Sequence, residues 1–365
     1  MAKAAYAGIG GVARKVKSVY AGVGGVARRV KRGYVGIGGV ARPFLAFAEM
    51  AYYGKIEALS KSRSGPARAV AGGYAIFGGG TSTSGAVTPS MIYDAYTTSL
   101  VKTSVSTDSL YRYDHTAASV GGYALFAGGY RDTSAHSGVT AYSPSLVKTS
   151  AADLQKARRT RDGGATAAAH AIFAGQNGYV DAYSASLVRT SLADLGGATY
   201  DACAARAGGY ALVYTPTNSA NYKKTVYCYN ADLVRSTVEL SEDGGSYTSA
   251  ASNGQHALIA YGATETVNAF SQSLVRSEVK QSAAKYAMSG ASAPGLAVFV
   301  GGRTFGSPTV SYYSAEAFDA NLTRKPAVAM SNAGGTALAI GGYVLSAGGF
   351  SSSGITNEVE VLAIK

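Results

Sequence analysis

The side chains best suited to metal chemistry are few and scattered in this 365-residue chain. Its two cysteines, Cys203 and Cys228, are too few for a disulfide framework and lack a CxxC-type spacing, so two free thiols are expected. Neither an HxxxH nor an HExxH spacing exists among the four histidines, His115, His136, His170 and His256. We therefore expect no metal site and no bound cofactor.

Acid–base chemistry on a sugar would need two carboxylates that converge across the glycosidic bond, about 5 to 10 Å apart. We interpret the sparse acidic residues as occupying unrelated positions of the internal repeats described below: Asp132, Asp181, Glu242, Asp243, Glu265 and Glu316. The glycine-rich stretch at residues 36–39 does not match a phosphate loop followed by a helix. The sequence thus favours a protein that is not an enzyme.

Composition indicates a folded chain built from strands. Hydrophobic residues make up 47% and charged residues 15%, which is typical of a chain that buries a core. Forty-seven Gly and 27 Tyr, with only 8 Pro and no Trp, favour many short strands joined by turns. Because no run of about 18 apolar residues exists, we expect no membrane-spanning helix.

Charge is concentrated at the N-terminus. The formal net charge is +12, and residues 1–46 carry nine Lys or Arg and no acidic residue. The unbroken apolar region of a secretory signal is missing there, so synthesis in a cytoplasm is expected.

A 14-residue repeat organises this basic segment. Residues 6–14 return at 20–28 and at 34–42, each copy running from a Tyr through Gly-Gly to an Arg. We predict one strand and one tight Gly-Gly turn per repeat. Such a ribbon is marginal alone, so it needs partners. Binding of nucleic-acid phosphates by the basic residues is the weaker hypothesis, since the fixed glycines are more ordered than charge attraction requires.

These YxGIGGVAR-type repeats resemble segments of structural proteins of bacteriophages and prophages of Gram-positive bacteria. The resemblance covers residues 6–42 and implies a virion component, made in the bacterial host cytoplasm, whose residues 1–46 attach to other virion proteins or oligomerise. The repeated Tyr and Arg are the expected attachment residues: Tyr6, Arg14, Tyr20, Arg28, Tyr34 and Arg42.

A second, longer repeat occupies the rest of the chain. Seven apolar segments recur every 40 to 49 residues, at 74–77, 123–126, 170–173, 210–213, 256–259, 296–299 and 343–346. Each is preceded by a small-residue strand and followed by an alternating strand that ends in an aromatic residue or Leu. A Leu four residues after that end is expected to open an outer strand. Seven units of four short strands predict an all-β fold, a seven-bladed β-propeller over residues 47–365. The unit resembles the kelch repeat.

Loop lengths indicate where a ligand would bind. The spacing from one aromatic strand to the next apolar strand stays within 28 to 31 residues, whereas the spacing within a unit from apolar to aromatic strand varies from 10 to 19. Loops on a rigid scaffold commonly carry binding residues. Candidate ligand-binding residues in these variable loops are Arg131, Asp132, Asn221, Tyr222, Lys223, Arg303 and Phe305.

The last unit lacks an outer strand, because the chain stops at Lys365. Spacing predicts that residues 51–60 fill the gap, with residues 55–59 antiparallel to residues 359–363. An unpaired sheet edge would otherwise remain.

Two functions follow from these patterns. The first is a non-enzymatic virion protein of a tail, baseplate or fibre that displays its propeller for binding to a host-surface glycan or protein, or to another subunit. The second is a carbohydrate-active propeller enzyme, a glycosidase or an oxidase. Paired acids at the propeller axis would favour the enzyme, and an axis of Ala, Ser and Gly would favour the binding protein.

Overall fold

The computed structural model describes residues 48–82, 90–107, 111–131, 134–160, 164–167, 169–196, 202–216, 224–245, 247–262, 264–304 and 309–365, and the backbone of six strands within residues 6–46. No helix in this described part is long and apolar enough to cross a membrane.

Seven four-stranded antiparallel sheets form a seven-bladed β-propeller, as the repeat predicts. Strands are numbered one to four from the axis outward. Blade 1 consists of Ala67–Ala71, Tyr74–Gly78, Tyr93–Thr97 and Lys102–Ser104, and blade 2 of Thr116–Val120, Tyr123–Ala127, Val139–Tyr142 and Lys148–Ser150. Blade 3 consists of Gly164–Ala167, His170–Ala174, Val180–Ser184 and Arg189–Leu192, and blade 4 of Cys203–Ala207, Tyr210–Tyr214, Thr225–Tyr229 and Arg235–Glu239. Blade 5 consists of Ser249–Ser252, His256–Ala260, Thr266–Ser271 and Arg276–Lys280, and blade 6 of Ser289–Ala293, Leu296–Val300, Ser314–Asp319 and Arg324–Ala329. Blade 7 consists of Thr336–Ile340, Tyr343–Ala347, Val359–Ile364 and Met50–Ile56.

The second strands are apolar because both of their faces are covered by neighbouring blades. Leu125 and Phe173, from the second strands of blades 2 and 3, are fully buried in one cluster with Tyr183. A short apolar run bounded by glycines is typical of a strand buried on both faces. The main core therefore lies between blades.

The propeller has two unlike faces. The turn face carries the turns from strand one to two and from strand three to four. The loop face carries the connections from strand two to three and the links between blades. Two short hairpins, Tyr130–Arg131 with Ser134–Ala135 and Phe350–Ser351 with Gly354–Ile355, and the 3-10 turn Gln176–Gly178 lie in connections of the loop face.

The expectation that a Leu opens the outer strand is wrong. Six Leu residues lie within the turn from strand three to strand four, at φ between 60° and 65°. In each blade the outer strand begins two residues later, at a Lys or Arg. The six are Leu100, Leu146, Leu187, Leu233, Leu274 and Leu322. A capping oxygen fixes the turn. In blade 4, Asn230 Oδ1 accepts hydrogen bonds from the N–H groups of Asp232 at 3.0 Å and Val234 at 2.8 Å. The Leu side chain packs between blades, as Leu233 does.

The glycine repeat is explained by close approach at each face. On the turn face, Gly121 has φ 58°, and a Cβ there would lie 2.7 Å from Cβ of Ala185 in the next blade. On the loop face, Gly128 has φ 65°, and a Cβ there would lie 2.8 Å from the carbonyl oxygen of Arg158. Only glycine accepts this backbone conformation without strain in so little space.

Closure comes from the N-terminal part of the chain, but its register differs from the prediction. Strand Met50–Ile56 is the fourth strand of blade 7, and Val359 pairs with Ile56 instead of residue 59. The reason is that Leu59 is only 2% exposed, buried beside Phe77 and Leu345, and so belongs to the link into blade 1.

The basic segment contains three hairpins. Their strands are Tyr6–Ile9 with Val12–Lys15, Tyr20–Val23 with Val26–Arg29, and Arg32–Ile37 with Val40–Ala46. Each repeat thus holds two strands, and the prediction of one strand per repeat is wrong. Pairing of Ile9 with Val12 leaves a two-residue connection, the length that Gly-Gly suits.

Candidate functional site

Two of the six acidic residues expected at unrelated repeat positions, Asp181 and Glu316, in fact share one position. In four blades a carboxylate stands in the third strand, two residues before the aromatic or Leu position of the repeat, which is Tyr96, Tyr183, Phe318 or Leu362. These carboxylates are Asp94, Asp181, Glu316 and Glu360. The pattern is hard to see in the sequence because blades 2 and 5 carry an uncharged residue at this position, Thr140 and Asn268.

Each of these carboxylates accepts hydrogen bonds from the segment that links the preceding blade to its own blade. Arg158 Nη2 donates to Asp181 Oδ2 at 2.8 Å, and both side chains are 0% exposed. The N–H of Gln155 donates to the same oxygen at 3.1 Å. Arg63 with Asp94 and Lys285 with Glu316 repeat this arrangement as buried ion pairs. A buried charge must be paired in this way, so these groups stabilise the loop face and are not exposed to a ligand.

The pKa of Glu316 reflects this pairing. Burial alone would raise the pKa, but hydrogen bonds from Lys285 and Ser282 outweigh burial and hold it below the usual value of 4.5. The carboxylate is therefore ionised at neutral pH, which suits an ion pair and not a general acid.

A channel of about 470 Å³ runs along the axis between the first strands. Its lining is mostly Ala, Ser, Thr and Gly. Among the described lining residues the charged ones are Arg68 and Arg206, and none is a carboxylate. This is the lining that the sequence analysis associated with a binding protein.

The channel meets a wider cavity of about 790 Å³ at the loop face, which we call the mouth. Arg68 lines both spaces. The mouth is rich in aromatic and cationic side chains, which are Tyr113, His115, Tyr247, Tyr286, Phe350, Arg68, Arg159 and Arg303. A cavity of this size lies within the range of about 300 to 1,000 Å³ that small-ligand sites occupy.

Two arginines of the mouth are held by aromatic rings. The Arg303 guanidinium lies 4.7 Å from the centroid of the Phe350 ring. Arg159 lies 4.8 Å from the Tyr130 ring and forms an ion pair with Asp114. Such cation–π contacts orient a guanidinium while leaving its charge intact.

Backbone pairing brings two kinds of segment together at the mouth. The N–H of Tyr286, in the link before blade 6, donates to the carbonyl of Arg303 at 2.9 Å, and the reverse bond has the same length. Tyr113 and Tyr130 repeat this pairing around blade 2. The residue after the Gly-Gly pair therefore lies beside the residue that stands three before the first strand of the same blade.

The predicted ligand-binding residues have different outcomes. Arg303 lines the mouth. Arg131 is exposed, 5.5 Å from the Tyr111 ring centroid, and is not among the residues lining the mouth. The others lie outside the described residues: Asp132, Asn221, Tyr222, Lys223 and Phe305. The side chains of the six attachment residues also lie outside them.

Sequence reasoning missed Arg159, Tyr113, Tyr247 and Tyr286. They belong to the links of constant length, whereas the sequence analysis expects binding in the variable loops alone. For Tyr113 and Tyr286 the available signal was their shared position three residues before a first strand.

In the described part of the chain, no group of three His, Cys, Asp or Glu residues could hold a metal ion. Cys203 and Cys228 are both free and buried. Burial raises the pKa of Cys228 to about 12, so its thiol is unreactive at neutral pH.

No family model matches this chain, and no curated protein matches its sequence significantly. Its fold does resemble solved structures. YjhT aligns with a TM-score of 0.51 at 10% identity, over 85% of this chain and 99% of that one. The selenomethionine form of virginiamycin B lyase from Staphylococcus aureus gives 0.56 at 8% identity, over 87% and 99%, and a streptogramin B lyase gives 0.54 at 11%, over 87% and 98%. At such identities the likeness is one of fold.

Proposed function

We propose that this chain is a non-enzymatic structural protein of a bacteriophage virion, attached to the particle through residues 1–46 and binding a host-surface ligand at the mouth of its propeller. The observation that carries the binding role is the axial cavity system. It offers aromatic rings, hydroxyls and arginines, whereas among its described lining residues the one carboxylate, Asp114, is already paired with Arg159.

The position of the attachment segment supports this arrangement. Glu49 and Lys365 exchange two backbone hydrogen bonds, at 2.9 and 2.8 Å, where other blades have the turn from strand three to four. Ala48 also lies beside Gly295, which is in the turn between strands one and two of blade 6. A Cβ added to Gly295 would lie 3.4 Å from Cβ of Ala48. Residues 1–46 therefore join the propeller at its turn face, opposite the mouth.

Virion membership rests on the resemblance of the YxGIGGVAR-type repeats to phage and prophage proteins. Three hairpins of basic composition suit an attachment or oligomerisation element, because isolated two-stranded ribbons are marginally stable. The rival function, a propeller enzyme acting on carbohydrate, would need a pair of available carboxylates that the described cavity does not offer.

A mass-spectrometric inventory of purified particles from cultures that make this chain tests the proposal. We expect the full-length chain in the particles and its loss from particles when residues 1–46 are deleted. Particles that lack the chain, or release of sugar products by the purified protein, would overturn the proposal.

A further inference from the structure

We infer that the mouth binds the end of an acidic oligosaccharide, with Arg303 receiving the carboxylate and Tyr247 contacting the sugar ring. This inference rests on the proposed binding function and adds a site and a ligand class to it. Three independent features of the mouth support it.

The first feature is unbalanced positive charge. Three arginines against the single carboxylate of Asp114 give the described lining a net charge of +2. Asp114 pairs with Arg159, and no ion pair joins Arg303 to a carboxylate in the described part of the chain. A concave site focuses such a field on an incoming anion. The planar guanidinium suits two parallel hydrogen bonds to a carboxylate.

The second feature is a strained aromatic residue. Tyr247, two residues before the first strand of blade 5, has φ 59°. The corresponding residues in blades 1 and 7 are Gly65 and Gly334, at φ 58° and 66°. A bulky residue is strained in this region of backbone conformation. Tyr247 is 42% exposed, and its ring centroid lies 5.3 Å from that of Tyr286, so strain is accepted where a ring lines the mouth.

The third feature is a hydroxyl without a partner. Thr248 lines the mouth, is 7% exposed, and its Oγ1 has no hydrogen-bond partner among the described residues. A buried hydroxyl of this kind gains a partner when a ligand hydroxyl approaches. Further hydroxyls of the mouth come from Ser64, Thr81, Ser289 and Thr336.

Together these features favour a saccharide over a nucleic acid. Hydroxyls and aromatic rings suit the polar edges and apolar faces of a sugar ring. A surplus of only two positive charges suits one acidic sugar, whereas a polyanion is bound by a track of cations.

The test is isothermal titration calorimetry of the full chain with an oligogalacturonate and with a neutral glucose oligomer of equal length. We expect binding of the acidic oligomer at least tenfold tighter than the neutral one, weakened by salt. Arg303→Gln should weaken it at least tenfold. Arg276→Gln makes the same charge change on the turn face and should leave the affinity unaltered.

Tyr247→Gly separates a ligand contact from a structural role. Because glycine relieves the backbone strain, we expect a melting temperature at or above that of the parent, together with at least a tenfold loss of affinity. A lower melting temperature with unchanged affinity would contradict the inference.

Equal binding of acidic and neutral oligomers, or tighter binding of an oligonucleotide at the same residues, would also overturn it. Each result leaves the proposed binding function standing, because the mouth would still be the site. Absence of the chain from particles would instead remove the proposed function itself.

Discussion

The two faces of the propeller are built from the same blades but differ in almost every other respect. On the turn face, six turns share a left-handed Leu and a capping oxygen, and five of them expose a Val by 60 to 63%. On the loop face, connections within a blade differ in length, and Asp114, Tyr247 and Ala287 occupy positive φ where two other blades have glycine. The turns that are alike in six blades are the ones that the fold fixes. The connections that differ from blade to blade are the ones that are open to function.

The faces also differ in how polar groups are satisfied. Turn-face oxygens such as Asn230 Oδ1 each accept two backbone hydrogen bonds. At the mouth, Thr248 Oγ1 has no partner among the described residues. A buried hydroxyl left without a partner in a cavity wall is expected where stability is given up for binding.

The largest expected effect tests what closes the ring. Deleting residues 1–62 removes the strand Met50–Ile56 and Leu59, and should lower the free energy of unfolding by about 5 kcal/mol or more, because the third strand of blade 7 loses its partner. Deleting residues 1–46 should leave the melting temperature of the propeller nearly unchanged. Equal stability of the two truncated chains, measured by thermal and urea unfolding, would mean that closure occurs another way.

The next effect concerns the buried pairs beneath the loop face. Arg158→Met leaves Asp181 buried without its cation, and should cost about 3 to 5 kcal/mol in urea unfolding. Arg276→Met, at an exposed turn-face pair, should cost less than about 1 kcal/mol. The double variant Arg158→Met/Asp181→Leu should recover part of the loss. Equal costs at the two faces would remove this difference between them.

Acid sensitivity should depend on the same pairs. Because the pKa of Glu316 is lowered in the folded state, its stabilisation is present above the unfolded-state pKa of 4.5 and is lost as pH falls through the lower folded-state value. Glu316→Gln should therefore be less stable near neutral pH and lose less stability on acidification below pH 4.5. Parallel stability curves for the two proteins between pH 3 and 7 would contradict this assignment.

The smallest effect tests a single turn. Asn230→Ala removes the oxygen that accepts from Asp232 and Val234 and should cost about 1 kcal/mol. Asn230→Ser should cost less, since blades 2, 3 and 5 use Ser143, Ser184 and Ser271 at this position. A loss from Asn230→Ser as large as that from Asn230→Ala would exclude the capping role.

Sequence periodicity was sufficient for the architecture because strand patterns and Gly-Gly pairs repeat seven times. It failed where side chains act across blades. Leu233 looks like a strand residue until its inter-blade packing is known, and the same is true of Leu59, which the spacing places in the closing strand. The mouth was only partly predictable. Loop-length variation pointed to Arg303, but Tyr247 sits in a link whose constant length gave no signal.

The proposal that the turn face attaches to the particle and the loop face binds the ligand is most directly tested by thiol labelling in assembled particles. Ser352→Cys places an exposed thiol on the loop face, and Val188→Cys places one on the turn face, where Val188 is 62% exposed. The chain's own thiols give little background, because Cys203 and Cys228 are 1% and 0% exposed. In free protein both new thiols should react quickly with a maleimide. In particles we expect Ser352→Cys to react as before and Val188→Cys to be slowed at least tenfold; the reverse order, or equal rates, would contradict the account.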